Sequence, residues 1–257
     1  MKRFFTPLET LSRAEKTVLV VVECVIGLGL WQLLGNSLIP GPIRVLTSVA
    51  NLATTPVFWE NFIASLYLTT VGMGLSIIIS LALVYMSVIP ALTPVTQLVT
   101  KLRYLTLSGL VFVFTLLTKD GSQLKTSLLI FGIVPFFVTS LMSTIASINV
   151  QEYELAKTLK MNPLKTMWEV IVVGRLDSAI DTVRQNFAIA WMMITMVEGL
   201  SMSEGGLGSL IIKSNKYLDL STVFSLLVVV FVLGLLIDYT LRKLRELLFP
   251  YVKIGVK

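Results

Sequence analysis

The chain contains no histidine and a single cysteine, Cys24. That excludes His-based triads, His-ligated zinc and histidine proton relays, and it leaves no intrachain disulfide to form. A phosphate loop is missing too. The nearest likeness to G-x-x-x-x-G-K-[ST] is "LGSLIIKS" at 207–214, where Leu207 and Ile212 occupy the glycine positions. What remains is charge in apolar company. Glu23, Arg103, Arg184 and Glu198 lie within or at the edge of long apolar runs. In hydrocarbon each such charge costs ~2.5–3.5 kcal/mol, so each must line a water-filled path or find a partner. Arg184 suits either pathway lining or structural pairing and snorkelling. Glu198 suits capping of the "GGLG" loop at 205–208, and Lys101 suits snorkelling. Glu23 calls for a partner on a neighbouring helix. Trp191, about two helical turns beyond Arg184, suits packing better than gating. Met192, Met193 and Met196 read as an adaptable surface or as core filler.

A second group is the short charged stretch "EYELAKTLKMNP", 152–163, set between two long apolar runs. Asn149 can cap a helix from about 150 to 161, with Leu155, Ala156 and Leu159 on one face and Glu154, Lys157 and Thr158 elsewhere. Asn162 can cap a second helix, 164 to about 173, with Pro163 at its first position. The product is a bent pair of short helices, the first arm about 18 Å long. From the residues alone three uses compete: a solvated connector, a helix on the lipid headgroups, or a docking knob for a partner.

The elements that hold these groups follow from composition. Of 257 residues 55% are hydrophobic and 14% charged, against about 25% charged in soluble domains. Mean hydropathy is +0.85. This is the composition of an all-α polytopic membrane protein, because spans of roughly 20 apolar residues cross a bilayer. Six spans are expected, at 17–34, 62–87, 92–117, 126–147, 180–200 and 220–241. The first is a retained helix, since no small-residue cleavage site follows the basic "MKRFF" start. The second and third, joined by "VIPA", form a tight antiparallel pair. Lys and Arg number thirteen across 1–16, 147–177 and 241–257, against five in the segments on the other side. That asymmetry puts both termini and the 152–163 stretch in the cytoplasm. The net charge of +6 is therefore spread over loops and gives no support to nucleic-acid binding. On the outer side "LIPGPIRVLTSVANL" and "SMSEGGLGSLIIKSNKYLD" each read as a turn leading into a short helix.

Four stretches then carry a resemblance. "ELAKTLKMNPLKTMWEVIV" resembles the E-A-A-x3-G loop, followed by I-x-L-P, of type I ABC-importer permeases. "DTVRQNFAIAWMMITMVEGL", "GGLGSLI" and "LIPGPIRVL" are similar, in order and spacing, to motifs of the nitrate/sulfonate/taurine/bicarbonate-like branch of those binding-protein-dependent inner-membrane components. The resemblance covers about residue 30 to the C-terminus. It implies a type I importer transmembrane fold with six helices and a cytoplasmic coupling helix between the fourth and fifth. It also implies one transmembrane domain over 1–257: a first helix and outer connection (1–58), a permease core (59–242) and a basic tail (243–257). The coupling surface would comprise Glu154, Leu155, Ala156, Leu159, Lys160 and Asn162, with Glu154 and Ala156 on the motif's acidic and small positions. Implied partners are cytoplasmic ABC ATPase subunits, which would carry ATP and magnesium, a second permease copy or close relative, an extracytoplasmic solute-binding protein and the bilayer. No cofactor or metal is expected in this chain. The branch implies a small anion such as a sulfonate, nitrate or bicarbonate, with heteroaromatic vitamin precursors second. A non-transporting scaffold that recruits a cytoplasmic protein is the competing class. Lys160 stands where the motif has glycine, and Val172–Val173 where it has Leu-Pro. The Asn162–Pro163 pair is therefore expected to make the bend two residues later, and Lys160 is alternatively placed to meet an acidic groove on a matched partner. The third span also lacks the family's prolines.

Overall fold

The computed structural model of the chain describes residues 12–36 and 39–250, without the side chains of Arg13 and Ser203. The "MKRFF" start and the end of the basic tail, 251–257, lie outside them. Among the described residues there is no strand. Eleven α-helices follow one another: α1 Arg13–Leu34, α2 Pro42–Ala53, α3 Pro56–Met86, α4 Thr93–Lys101, α5 Leu107–Leu117, α6 Gly121–Ala146, α7 Val150–Thr158, α8 Pro163–Thr166, α9 Leu176–Leu200, α10 Leu207–Lys216 and α11 Leu220–Leu248.

Local chemistry sets most of these boundaries. Ser12 and Glu15 form a reciprocal capping box at α1, with Ser12 N–H donating to Glu15 Oε2 at 2.8 Å. Pro42 and Pro56 open α2 and α3, where a missing N–H costs nothing. Asp219 Oδ1 accepts from Thr222 N–H at 3.2 Å and starts α11. The "VIPA" connection is a tight turn, closed by Thr93 Oγ1 donating to Ser87 C=O at 2.9 Å.

Four helices, α1, α3, α6 and α11, are long and apolar enough to cross a membrane, or five spans if a bent pair counts as one. That pair corrects the expectation of a single third span over 92–117. Thr93–Tyr104 and Leu107–Leu117 meet at 115°. Leu105 and Thr106 take extended backbone after a 3-10 turn at Leu102–Tyr104, which breaks the helix without proline. α9 has the length of a span but carries Asp177, Asp181, Arg184, Asn186 and Glu198.

The core is built on α6, which packs against α3, α4, α5 and α9. Leu128, Leu129, Ile133, Phe137, Val138 and Leu141 are buried along it. The facing stripe of α3 is small: Ser65, Thr69, Gly72, Ser76 and Ser80 recur every three or four residues, all buried. Lipid tails are as apolar as leucine, so such helices associate through close packing, for which small residues leave room. A Cβ on Gly72 would lie 2.3 Å from Leu129 Cδ2. α9 fills the gap left by α3 and α6, and Phe187, Ala190, Trp191 and Ile194 join their cluster. Its first turns meet the last turns of α11, and its last turn meets α10 and α3.

Candidate functional site

The elbow between α6 and α9 is held by caps. Asn149 Oδ1 accepts from Gln151 N–H at 3.1 Å and starts α7, and Asn162 Oδ1 accepts from Lys165 N–H at 2.7 Å and starts α8. The bend lies at Lys160, φ 53, and not at the Asn162–Pro163 pair. Met161 N–H reaches Ala156 C=O at 3.1 Å, and Lys160 N–H reaches Lys157 C=O at 2.9 Å. These two bonds are the Schellman pattern, with lysine in the left-handed position that glycine usually fills. α7 accordingly stops at Thr158, short of the expected 161. The second arm is also altered. After one turn of α8 the backbone runs as a π-helix over Met167–Val173, closed by Gly174 N–H on Glu169 C=O at 2.9 Å. The Arg175 guanidinium then pairs with the Glu152 carboxylate and ties α7 to the start of α9. Burial pushes the Tyr153 phenol above its ordinary value, with the Glu152 carboxylate adding to the effect.

Leu155 and Leu159 are 61% and 60% exposed, whereas Ala156 is 2% exposed. The expectation of one shared face is therefore corrected: Ala156 is buried within the chain while Leu155 and Leu159 face out. Glu154, Lys157 and Lys160 are exposed beside them, and Leu164 and Trp168 extend the apolar surface along the second arm.

A charged network lies at the same end of the bundle. Arg184 Nε contacts Asp181 Oδ1 at 3.1 Å, and its NH1 contacts Asp238 Oδ1 of α11 at 2.9 Å. Arg245 NH1 of α11 contacts Asp181 Oδ1 at 3.0 Å. Gln185 donates to Asp181 Oδ2 at 2.9 Å. Arg184 thus pairs within α9, to Asp181, and across to α11, to Asp238. Next to the network an open groove of ≈450 Å³ runs between α9 and α11, lined by Phe187, Trp191, Met192, Phe231, Gly234 and Asp238 among others. Trp191 stacks on Phe187 with centroids 5.9 Å apart and donates from Nε1 to Val230 C=O at 3.0 Å.

At the other end of α9, Glu198 is 1% exposed. Its Oε1 accepts from Ser65 Oγ at 2.6 Å and its Oε2 from Gly208 N–H at 2.9 Å. Ser65 Oγ in turn accepts from Leu207 N–H at 2.8 Å, and Asn61 Oδ1 accepts from Gly206 N–H at 2.7 Å. Lys125 Nζ donates to Gly205 C=O at 2.7 Å. Gly205 and Gly206 sit at φ 72 and 109, which the turn into α10 requires. Arg103 stands apart from all of these, exposed in the α4–α5 break, with its guanidinium over the Tyr104 ring at 5.1 Å.

With this geometry in place, residues 26–246 match the family described as binding-protein-dependent transport system inner membrane component. The chain belongs to that family. It is a multi-pass ABC-importer permease component. The fold is similar to that of a solved structure titled "Crystal structure of an amino acid ABC transporter with histidines", with 16% identity and a TM-score of 0.57, covering 78% of this chain and 96% of that one. No curated protein matches the sequence.

In this permease the six expected coupling residues lie on one elbow. Along α9, Arg184 and Trp191 are joined by the groove that Asp238 and Trp191 line, Glu198 sits apart at the far end, and Arg103 is not among them. Sequence reasoning missed Asp181 and Asp238 as the partners of Arg184, Arg245 as a second partner of Asp181, Glu152 and Arg175 as the elbow's tie, and Asn61, Ser65 and Lys125 around the glycine loop. Asp181 at i−3 from Arg184 was a readable signal. The others come from distant segments and carried none.

Proposed function

We propose that this permease is the translocating subunit of an ATP-driven importer and that the α7–α8 elbow couples it to cytoplasmic ATPase subunits, which carry ATP and magnesium. Six crossings, with both termini cytoplasmic, complete the reading. The sixth would be α9, whose buried polar groups are all provided for by neighbours: Glu198 by Ser65 and Gly208, Arg184 by two aspartates, Asn186 by Ser140 and Thr182. Two copies, or this chain and a close relative, would face each other near α9, and an extracytoplasmic binding protein would deliver solute to the α2 and α10 side.

The observation that carries the reading is the elbow. Leu155, Leu159, Leu164 and Trp168 form an exposed apolar surface on a capped, hydrogen-bonded bend that Arg175 ties to α9. Such a surface, set among charges, suits a protein partner, and a stiff bend passes on rigid-body motion that a loose loop would absorb. Driven together by ATP binding on the partners, the elbows would rock α9 and switch the pathway between inward- and outward-open states. In reconstituted vesicles containing the ATPase and binding protein, Glu154→Lys is expected to abolish solute-stimulated ATP hydrolysis. Unchanged hydrolysis and uptake would remove the docking role.

For the solute, the branch resemblance favours a small anion such as a sulfonate, nitrate or bicarbonate. One observation favours the second reading, a flat heteroaromatic solute. The α9–α11 groove is walled by Phe187, Trp191 and apolar side chains, and the positive charge beside it is already neutralised by Asp181 and Asp238. Uptake competition between taurine or nitrate and a pyrimidine or thiazole ring separates the two.

A further inference from the structure

The bend of the elbow carries a residue whose backbone is strained and whose side chain holds nothing inside the chain. Lys160 sits at φ 53, a conformation that glycine takes freely and an L-residue takes at a cost. Its side chain is exposed and makes no hydrogen bond or ion pair with any described residue. Residues strained in this way cluster at ligand clamps and switch regions. The charge around Lys160 is also one-sided. From Leu155 to Trp168 the sequence holds three lysines, Lys157, Lys160 and Lys165, and no acidic residue. All three are exposed, without an ionic partner among the described residues. They alternate with Leu155, Leu159, Leu164 and Trp168, the exposed apolar surface of the same bend. Of the acids that flank the stretch, Glu152 is paired with Arg175, while Glu154 and Glu169 stand open at its two ends.

We propose that Lys157, Lys160 and Lys165 select the partner: they fit an ATPase whose docking cleft has an apolar floor for the leucines and carboxylates along its rim. This rests on the reading that the elbow docks to an ATPase, and it adds which ATPase the elbow accepts. Rim charges steer encounter and reject wrong partners more than they add affinity. A cleft rimmed by lysine or arginine would meet three like charges and be refused, so selection works by repulsion as well as attraction. Anionic lipid headgroups would also suit the lysines. A helix lying on such headgroups has no place for Glu154 and Glu169, whose open carboxylates the same surface repels. A protein cleft can offer those two acids donors at its ends.

The test measures association of the copurifying ATPase with the permease in phosphatidylcholine nanodiscs. Salt is set at about 0.1 M and about 1 M, where the screening length falls from about 10 Å to about 3 Å. Lys160→Gln is expected to slow association about three- to tenfold at the lower salt and hardly at the higher. Lys160→Glu should slow it further, and Lys160→Arg should stay near the unaltered chain. Lys160→Gly separates this role from a structural one: it should melt higher, since the strain is gone, and still associate as slowly as Lys160→Gln. Equal association rates for all of these chains, or a loss that salt leaves unchanged, overturns the proposal. So does a loss that appears only when phosphatidylglycerol is added to the nanodiscs, because the lysines then serve headgroups. Leu159→Asp, at an exposed position, tests the underlying reading. If the ATPase still binds that variant, or if none copurifies with the unaltered chain, the elbow is not the docking site and both fail. If Leu159→Asp releases the ATPase while the Lys160 variants bind normally, docking stands and the acidic rim alone fails.

Discussion

Lys160 holds its backbone at φ 53, where an L-residue other than glycine pays about 1–2 kcal/mol. The Schellman bonds around it fix that conformation whatever the side chain. Lys160→Gly should therefore stabilise the elbow by about 0.5–1 kcal/mol after the entropy glycine loses on folding, read as a higher melting temperature in detergent. A fall would mean that the lysine side chain itself holds the bend. Glu198 makes the opposite case. Its two oxygens satisfy Ser65 and the buried Gly208 N–H, so Glu198→Ala leaves a buried donor empty, at about 1–3 kcal/mol. The expected outcome is a lower melting temperature with faster proteolysis between α9 and α10. Protection equal to that of the unaltered chain would show that the glycine loop holds itself.

At the scale of elements, what could be read in advance was whatever local chemistry decides. The asparagine caps at 149 and 162, the surface helix after Pro42 and the short α10 all follow from residues within a turn of the boundary they set. The 115° break before α5 could not be read that way, because no proline or glycine marks Leu105 and Thr106. Leu107 instead packs with Leu128 and Val197, from distant helices, and pulls the chain aside. The same limit applies to the charged network, whose Asp238 and Arg245 lie more than fifty residues from Arg184. α3 and α6 form the firmest pair, and its tightest point is Gly72 against Leu129. Gly72→Leu is expected to push the two helices apart at a cost of about 1–3 kcal/mol or more, seen as loss of monodisperse protein on size-exclusion chromatography. A normal elution profile and melting temperature would show that the stripe of small residues has slack.

In the whole molecule α9 is the helix tied at its start, along its length and at its end. Its start is tied to the elbow through Arg175 and Glu152, its first third to α11 through Asp181 and Arg184, and its end to the glycine loop through Glu198. If the elbow is gripped from below, the Arg175–Glu152 pair is where the push enters the bundle. Both side chains are partly exposed, so the pair contributes only about 0–1 kcal/mol to stability. A mechanical role and a merely structural one therefore separate. Glu152→Gln should leave the melting temperature almost unchanged and leave the ATPase bound, because Leu155 and Leu159 are untouched, yet lower the solute carried per ATP hydrolysed. Counting both in the same vesicles gives that ratio directly. A ratio equal to that of the unaltered chain would mean the push travels through the π-helical arm alone, and the ion pair would then be a surface contact without mechanical consequence.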